Sequence, residues 1–101
     1  MSRPDVDLEA RLVSLGRALA HPVRAAVLRY CCRDADRLHS PVELSRALGV
    51  ALGVVSYHVR VLADLGMLEL RRTGQARGAV VHEYGIADGV AVAVEALARH
   101  A

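Results

Sequence analysis

Leu8, Leu12, Leu15 and Leu19 recur at spacings of four, three and four, the apolar stripe of an amphipathic helix over residues 8–20. Asp5 or Asp7 suits its start, and His21-Pro22 its end, because a residue before proline avoids the helical region. Pro22 then opens a second helix, where its missing N–H costs nothing, with Val27, Leu28 and Cys31 inward and an end near Arg33. A polar loop through His39 leads to Ser40-Pro41, an N-cap followed by proline, with Glu43 at the positive end of the helix dipole. Leu44, Ala47 and Leu48 form the inner side of this short third helix, which stops at Gly49. A fourth helix turns Val55, Val59, Leu62 and Leu65 inward and ends at Gly66, a left-handed C-terminal residue.

The period then drops to two. Leu68 and Leu70 alternate with Glu69 and Arg71 as in a strand. Residues 74–78 read as a glycine-bracketed loop, and Val80 to Ile86 as an antiparallel return strand. Asp88 is placed to cap a last helix that is apolar all round: Val90, Ala91, Val92, Ala93, Val94, Ala96, Leu97 and Ala98. The predicted fold is mainly α with a β-hairpin, in the order α-α-α-turn-α-β-β-α. It forms one domain over residues 1–101, with a helix-turn-helix unit at about 41–65 and a hairpin at about 67–86. A helix apolar on every side needs burial on more than one face. Either it lies in a deep intramolecular groove, or helices 8–20 and 88–100 form a two-fold interface with a second copy.

Composition sharpens this. The 101 residues are 53% hydrophobic, yet with no Phe or Trp and three Tyr the core must close through aliphatic contacts. No stretch approaches the roughly 20 apolar residues of a membrane span. The first residues, with Arg3, Asp5, Asp7 and Glu9, lack an apolar signal region, so a cytoplasmic protein is expected. All 13 basic residues are Arg, each able to form the planar bidentate contact that phosphate and guanine favour. The net charge of +2 is uninformative. Placement is not: Arg60, Arg71, Arg72 and Arg77 lie close together with only Asp64 and Glu69 among them.

Two helices joined by a glycine-containing turn place the second in the DNA major groove. With Val55, Val59 and Leu62 inward, the outer face of residues 52–65 presents Gly53, Ser56, Tyr57, Arg60 and Asp64. Ser56 and Tyr57 suit base edges or phosphates, and Arg60 suits phosphate. The stretch Ala18 to Ile86, about two-thirds of the chain, resembles the ArsR-like family of winged helix-turn-helix regulators. The matching segments are ALAHPVRAAVLRYC, VELSRALGV, VSYHVRVLADLGMLELRR and RGAVVHEYGI. The resemblance implies a homodimeric repressor of double-stranded DNA, often released by a metal ion or other effector. It makes the hairpin a wing, with Arg71, Arg72 and Arg77 on phosphate or in the minor groove. Four arginines per subunit would give about eight phosphate contacts and a log–log salt slope near −7.

Two features depart from that family. Its members usually open the recognition helix with small polar residues, whereas here Ala51, Leu52, Gly53 and Val54 stand there, with no side-chain cap. Metal-sensing members carry Cys-x-Cys in the first helix of the unit, or paired Asp and His on the last helix. Here the first has Glu43-Leu44-Ser45 and the last only His100. Adjacent Cys31 and Cys32 point about 100° apart on a helix. They read as a core residue and a partly exposed one, with soft-metal ligation alongside His39 the alternative. No cofactor, metal or effector is assigned. Arg24 suits an ion pair or a phosphate equally. The absence of a nucleophile–base pair, paired carboxylates or a phosphate loop argues against an enzyme. The alternative function is a winged-helix module for a protein partner, contacted through Leu52 and Val54, with weak or non-specific DNA binding.

Overall fold

The computed structural model describes residues 6–99; Asp5 and His100 lie outside them. Five helices and one hairpin follow in the order α1 (Val6–Leu19), α2 (Pro22–Arg33), α3 (Pro41–Leu48), α4 (Leu52–Asp64), β1 (Leu68–Ala76), β2 (Ala79–Ile86) and α5 (Val90–Arg99). Local chemistry sets the boundaries. His21 caps α2, its Nδ1 accepting the Val23 N–H at 3.2 Å, with Pro22 in the first turn. Ser40 Oγ accepts the Glu43 N–H at 3.2 Å and caps α3. Gly49, at φ 65°, ends that helix, and the Ser45 hydroxyl donates to the Val50 carbonyl at 2.6 Å, closing the turn. α3 and α4 meet at 120°. At the far end of α4 the N–H groups of Gly66 and Met67 return to the carbonyls of Ala63 and Leu62, the Schellman arrangement, with Gly66 at φ 78°.

The hairpin is longer than the sequence pattern predicts. Residues 74–76 belong to β1, and the ladder runs on to Ala76 opposite Ala79. Only Arg77 and Gly78 form the turn, at φ 54° and 79°; positive φ at both central residues suits the twist of two antiparallel strands. A bulge at Arg71 separates Leu70–Tyr84 pairing from Arg72–Glu83 pairing. His39 adds a one-residue bridge to Tyr84, exchanging two backbone hydrogen bonds of 2.8 Å. The hairpin is thereby tied to the entrance of α3.

Val27, Leu28, Cys31, Leu44, Val55, Val59 and Leu62 are fully buried and make the core, closed at the hairpin base by Leu68, Tyr84 and Ile86. Ala47 faces outward; the inner side of α3 is filled by buried Leu44, with Leu48 half-buried against the core. Cys32 is buried, not partly exposed, because α5 packs over it: Val94, Glu95 and Ala98 surround it. α5 starts at Val90, two residues after the expected Asp88 cap, because the chain first turns through Gly89 at φ 81°.

The terminal helices are half-covered. In α1, Leu15 and Ala18 are buried, but Leu8 and Leu12 of the predicted stripe are more than half exposed, as are Val6 and Val13. In α5, Val90 and Val94 meet the core while Val92 is 72% and Leu97 50% exposed. Among the described residues no groove encloses α5. Between α1, the α4–β1 junction and α5 lies an open groove of about 640 Å³, lined by Leu8, Leu12, Leu15, Met67, Val90 and Ala93. The architecture is a winged helix-turn-helix.

Candidate nucleic-acid interface

α4 is held by one side and offered by the other. Val55, His58, Val59 and Leu62 are buried. The outward centre line is Gly53, Tyr57 and Arg60, at helical spacings of four and three. Tyr57 is 55% exposed, Arg60 is exposed and Ser56 is half-buried. Ser56, Tyr57 and Arg60 therefore share a face, as the sequence pattern predicts. Ala51 stands at the N-cap with no side-chain hydrogen bond, and Leu52, Gly53 and Val54 are all exposed.

The three wing arginines are not equivalent. Arg71, at the bulge, folds back: its guanidinium donates to the Ile86 carbonyl at 2.9 Å and lies over Gly85. A Cβ at position 85 would stand 2.9 Å from Arg71 Nε, so glycine there makes room for the arginine. Arg72 donates twice to the Glu83 carboxylate across the hairpin, at 2.9 Å each. Arg77 sits in the turn at the tip. Among the described residues, Arg60 and Arg77 have no ion-pair partner. The interface thus holds two unpaired cations and two that are tied to the hairpin.

Sequence reasoning missed the polar hub behind this surface. Arg37 clamps the Glu43 carboxylate with both terminal nitrogens, at 3.0 and 2.6 Å, and its Nε donates to Asp34 at 2.9 Å. The Tyr30 hydroxyl donates to Glu43 at 3.1 Å. His39, 1% exposed, sets Nδ1 3.0 Å from Glu43 and Nε2 3.1 Å from the Asp34 carbonyl. The Arg37 hydrogen bonds, helped by His39 and Tyr30 and opposed by burial, hold the Glu43 carboxyl down at about 2. One carboxylate therefore joins the end of α2, the loop after it, the start of α3 and, through His39, the wing. The visible signal was the spacing of four between His39 and Glu43.

A second cluster lies between α2 and α4. The rings of His21 and His58 are 4.2 Å apart, and Tyr57 meets His58 edge-on at 5.1 Å. Burial, with His21 and Arg24 adding repulsion, lowers the His58 pKa. Among the described residues Arg24 makes no ion pair; it donates to the Arg17 carbonyl at 3.1 Å, joining α2 to the end of α1. Burial foremost, then Cys32 and Glu43, pushes the Cys31 thiol up to about 12, so it stays protonated. Both ring nitrogens of His39 are engaged away from the two cysteines. Among the described residues no three His, Cys, Asp or Glu side chains converge on a common point.

A model for the helix-turn-helix domain matches residues 19–71. No curated protein matches the chain in sequence. Among solved structures, HlyU from Vibrio cholerae in its reduced form is 26% identical, with a TM-score of 0.70 over 92% of this chain and 90% of that one. An ArsR family transcriptional regulator is 28% identical, with a TM-score of 0.63 over 89% and 90% of the two chains. The homodimeric winged helix-turn-helix DNA-binding domain of Mb0332 from Mycobacterium bovis, a possible ArsR-family regulator, is 22% identical, with a TM-score of 0.73 over 97% and 87%.

Proposed function

The chain belongs to the helix-turn-helix domain family and is a DNA-binding transcriptional regulator; on that premise we propose that it binds double-stranded DNA as a homodimer and represses by occupying its site. The carrying observation is the outward stripe of α4, with Tyr57 and Arg60 exposed beside an arginine-tipped hairpin. α4 of each subunit enters a major groove, the two grooves about 34–36 Å apart along one face of the duplex. Ser56 and Tyr57 meet base edges or phosphates, Arg60 a phosphate, and Arg77 the neighbouring minor groove or backbone. Arg71 and Arg72 hold the wing and add positive charge, Arg72 after exchanging Glu83 for phosphate.

Homodimerisation is supported by the apolar faces left open on α1 and α5, and by the homodimeric state of the Mb0332 domain. The two-fold contact runs through these terminal helices. Among the described residues no single helix is long and apolar enough to cross a membrane, in keeping with work on DNA in the cytoplasm.

Arg60→Ala tests the reading. It is expected to weaken duplex binding and to flatten the salt slope by about 2, one phosphate per subunit. An unchanged affinity and slope would remove α4 from the interface. The exposed pair Leu52 and Val54 also favours a second reading, a protein-partner module. Under it, Leu52→Asp abolishes partner capture, Arg60→Ala does not, and duplex binding is weak and indifferent to sequence.

A further inference from the structure

The polar side chains of α4 leave its first turn unexplained. Leu52 is 47% and Val54 44% exposed. Between them a Cβ on Gly53 would meet nothing within 4 Å. Successive residues stand about 100° apart around a helix. The bare backbone of Gly53 therefore heads the stripe that continues through Tyr57 and Arg60, and Leu52 and Val54 bracket it, one on each flank. With Ala51 before them, this turn has no side-chain donor or acceptor; the first hydroxyl is that of Ser56.

A turn of this kind cannot match the donor and acceptor pattern of base edges. The major groove offers one apolar feature, the 5-methyl group of thymine. We propose that the first turn of α4 reads thymine methyls, with Leu52 and Val54 as the specificity-determining residues and Gly53 allowing the backbone close enough for both to touch. The operator is then set by where T·A pairs fall beneath the start of each α4, and less by guanine contacts. Tyr57 and Arg60 continue the same stripe with groups suited to phosphate and base edges, which favours a nucleic acid over a wholly apolar partner for this surface. The inference rests on the DNA-binding reading and adds the chemistry that is read.

The test begins with duplexes enriched from a random-sequence pool by the full chain. The enriched duplex is then made with dT, and with dU at every thymine, which removes only the methyls. Each contacting methyl is worth about 4-fold in affinity, so the dU duplex is expected to bind at least that much more weakly. The double variant Leu52→Ser, Val54→Ser changes only exposed side chains, and its thermal midpoint reports that it is folded. It is expected to bind the dT duplex less tightly and no longer to distinguish it from dU. Equal affinity of the native protein for both duplexes overturns the proposal, as does discrimination that survives in the double variant. If no duplex is enriched or bound, the DNA-binding reading falls and this proposal with it, an outcome plainly different from tight but methyl-blind binding.

Discussion

At the scale of single residues, Glu43 carries more than the helix cap suggested by its position. Its carboxylate accepts from Arg37, Tyr30 and, through Nδ1, meets His39. Because the carboxyl falls from an ordinary 4.5 to about 2, its stabilisation is complete above pH 4.5 and disappears as pH drops towards 2. Glu43→Gln is expected to cost about 1–2 kcal/mol at neutral pH, the exposed Arg37 end being screened by solvent. It should also flatten the acid limb of a plot of thermal midpoint against pH; an unchanged limb would show that the hub is decorative. His58 works at milder pH. Its lowered pKa means the unfolded chain takes up the proton first, so stability declines as pH falls below 6.5 until the folded form protonates as well. His58→Gln should remove that part of the decline in the same melting series. Buried aliphatic positions such as Val27, Val59 and Leu62 were legible in the sequence, because helical spacing alone decides which way they point. The buried state of His39 was not. A polar residue after a helix end reads as solvent-facing; the backbone bridge to Tyr84 and the ring contacts with Glu43 and the Asp34 carbonyl hold it inside.

At the scale of elements, α4 is less well supported at its start than α2 or α3. Ala51 leaves the first N–H groups without a side-chain acceptor, whereas Ser40 and His21 serve α3 and α2. Ala51→Ser is expected to add about 1 kcal/mol, a rise of roughly 4–8 °C in the thermal midpoint for a domain of this size. No rise would mean the cap position is not the limiting defect. Helix starts and stops were readable where proline, serine or glycine punctuates the chain. The hairpin was not, because Gly74 and Gly78 both suggest a loop and local composition does not say which lies in the ladder. Cross-strand pairing down to Ala76–Ala79 decides it, and places Arg77 at the very tip. The shared outer face of Ser56, Tyr57 and Arg60 followed from periodicity. That Arg71 and Arg72 spend their hydrogen bonds on Ile86 and Glu83 did not, since cross-strand partners depend on the register and its bulge.

At the scale of the whole molecule, the apolar surfaces of α1 and α5 are the least satisfied part of the fold. Val6, Leu8, Leu12, Val13, Val92 and Leu97 are all at least half exposed, on a chain of a size at which single cores are marginal. Leu97→Glu would set two carboxylates into the proposed two-fold contact without disturbing the core. The native chain is expected to sediment as a dimer and the variant as a monomer with weakened DNA binding; a variant that remains dimeric would move the interface elsewhere. In the proposed dimer, pairing would align two α4 helices with successive grooves, so affinity and oligomeric state should fall together.

The most direct measurement is the salt dependence of binding, followed by fluorescence anisotropy, to the promoter region of the protein's own gene and to a scrambled duplex. With Arg71 held by the Ile86 carbonyl and Arg72 by Glu83, Arg60 and Arg77 of the two subunits in the proposed dimer would make about four phosphate contacts, a log–log slope near −4 that steepens towards −7 where Arg71 and Arg72 exchange partners. Such a slope is expected, with the promoter preferred over the scrambled duplex. A slope shallower than about −2, or no binding to either duplex, would contradict it.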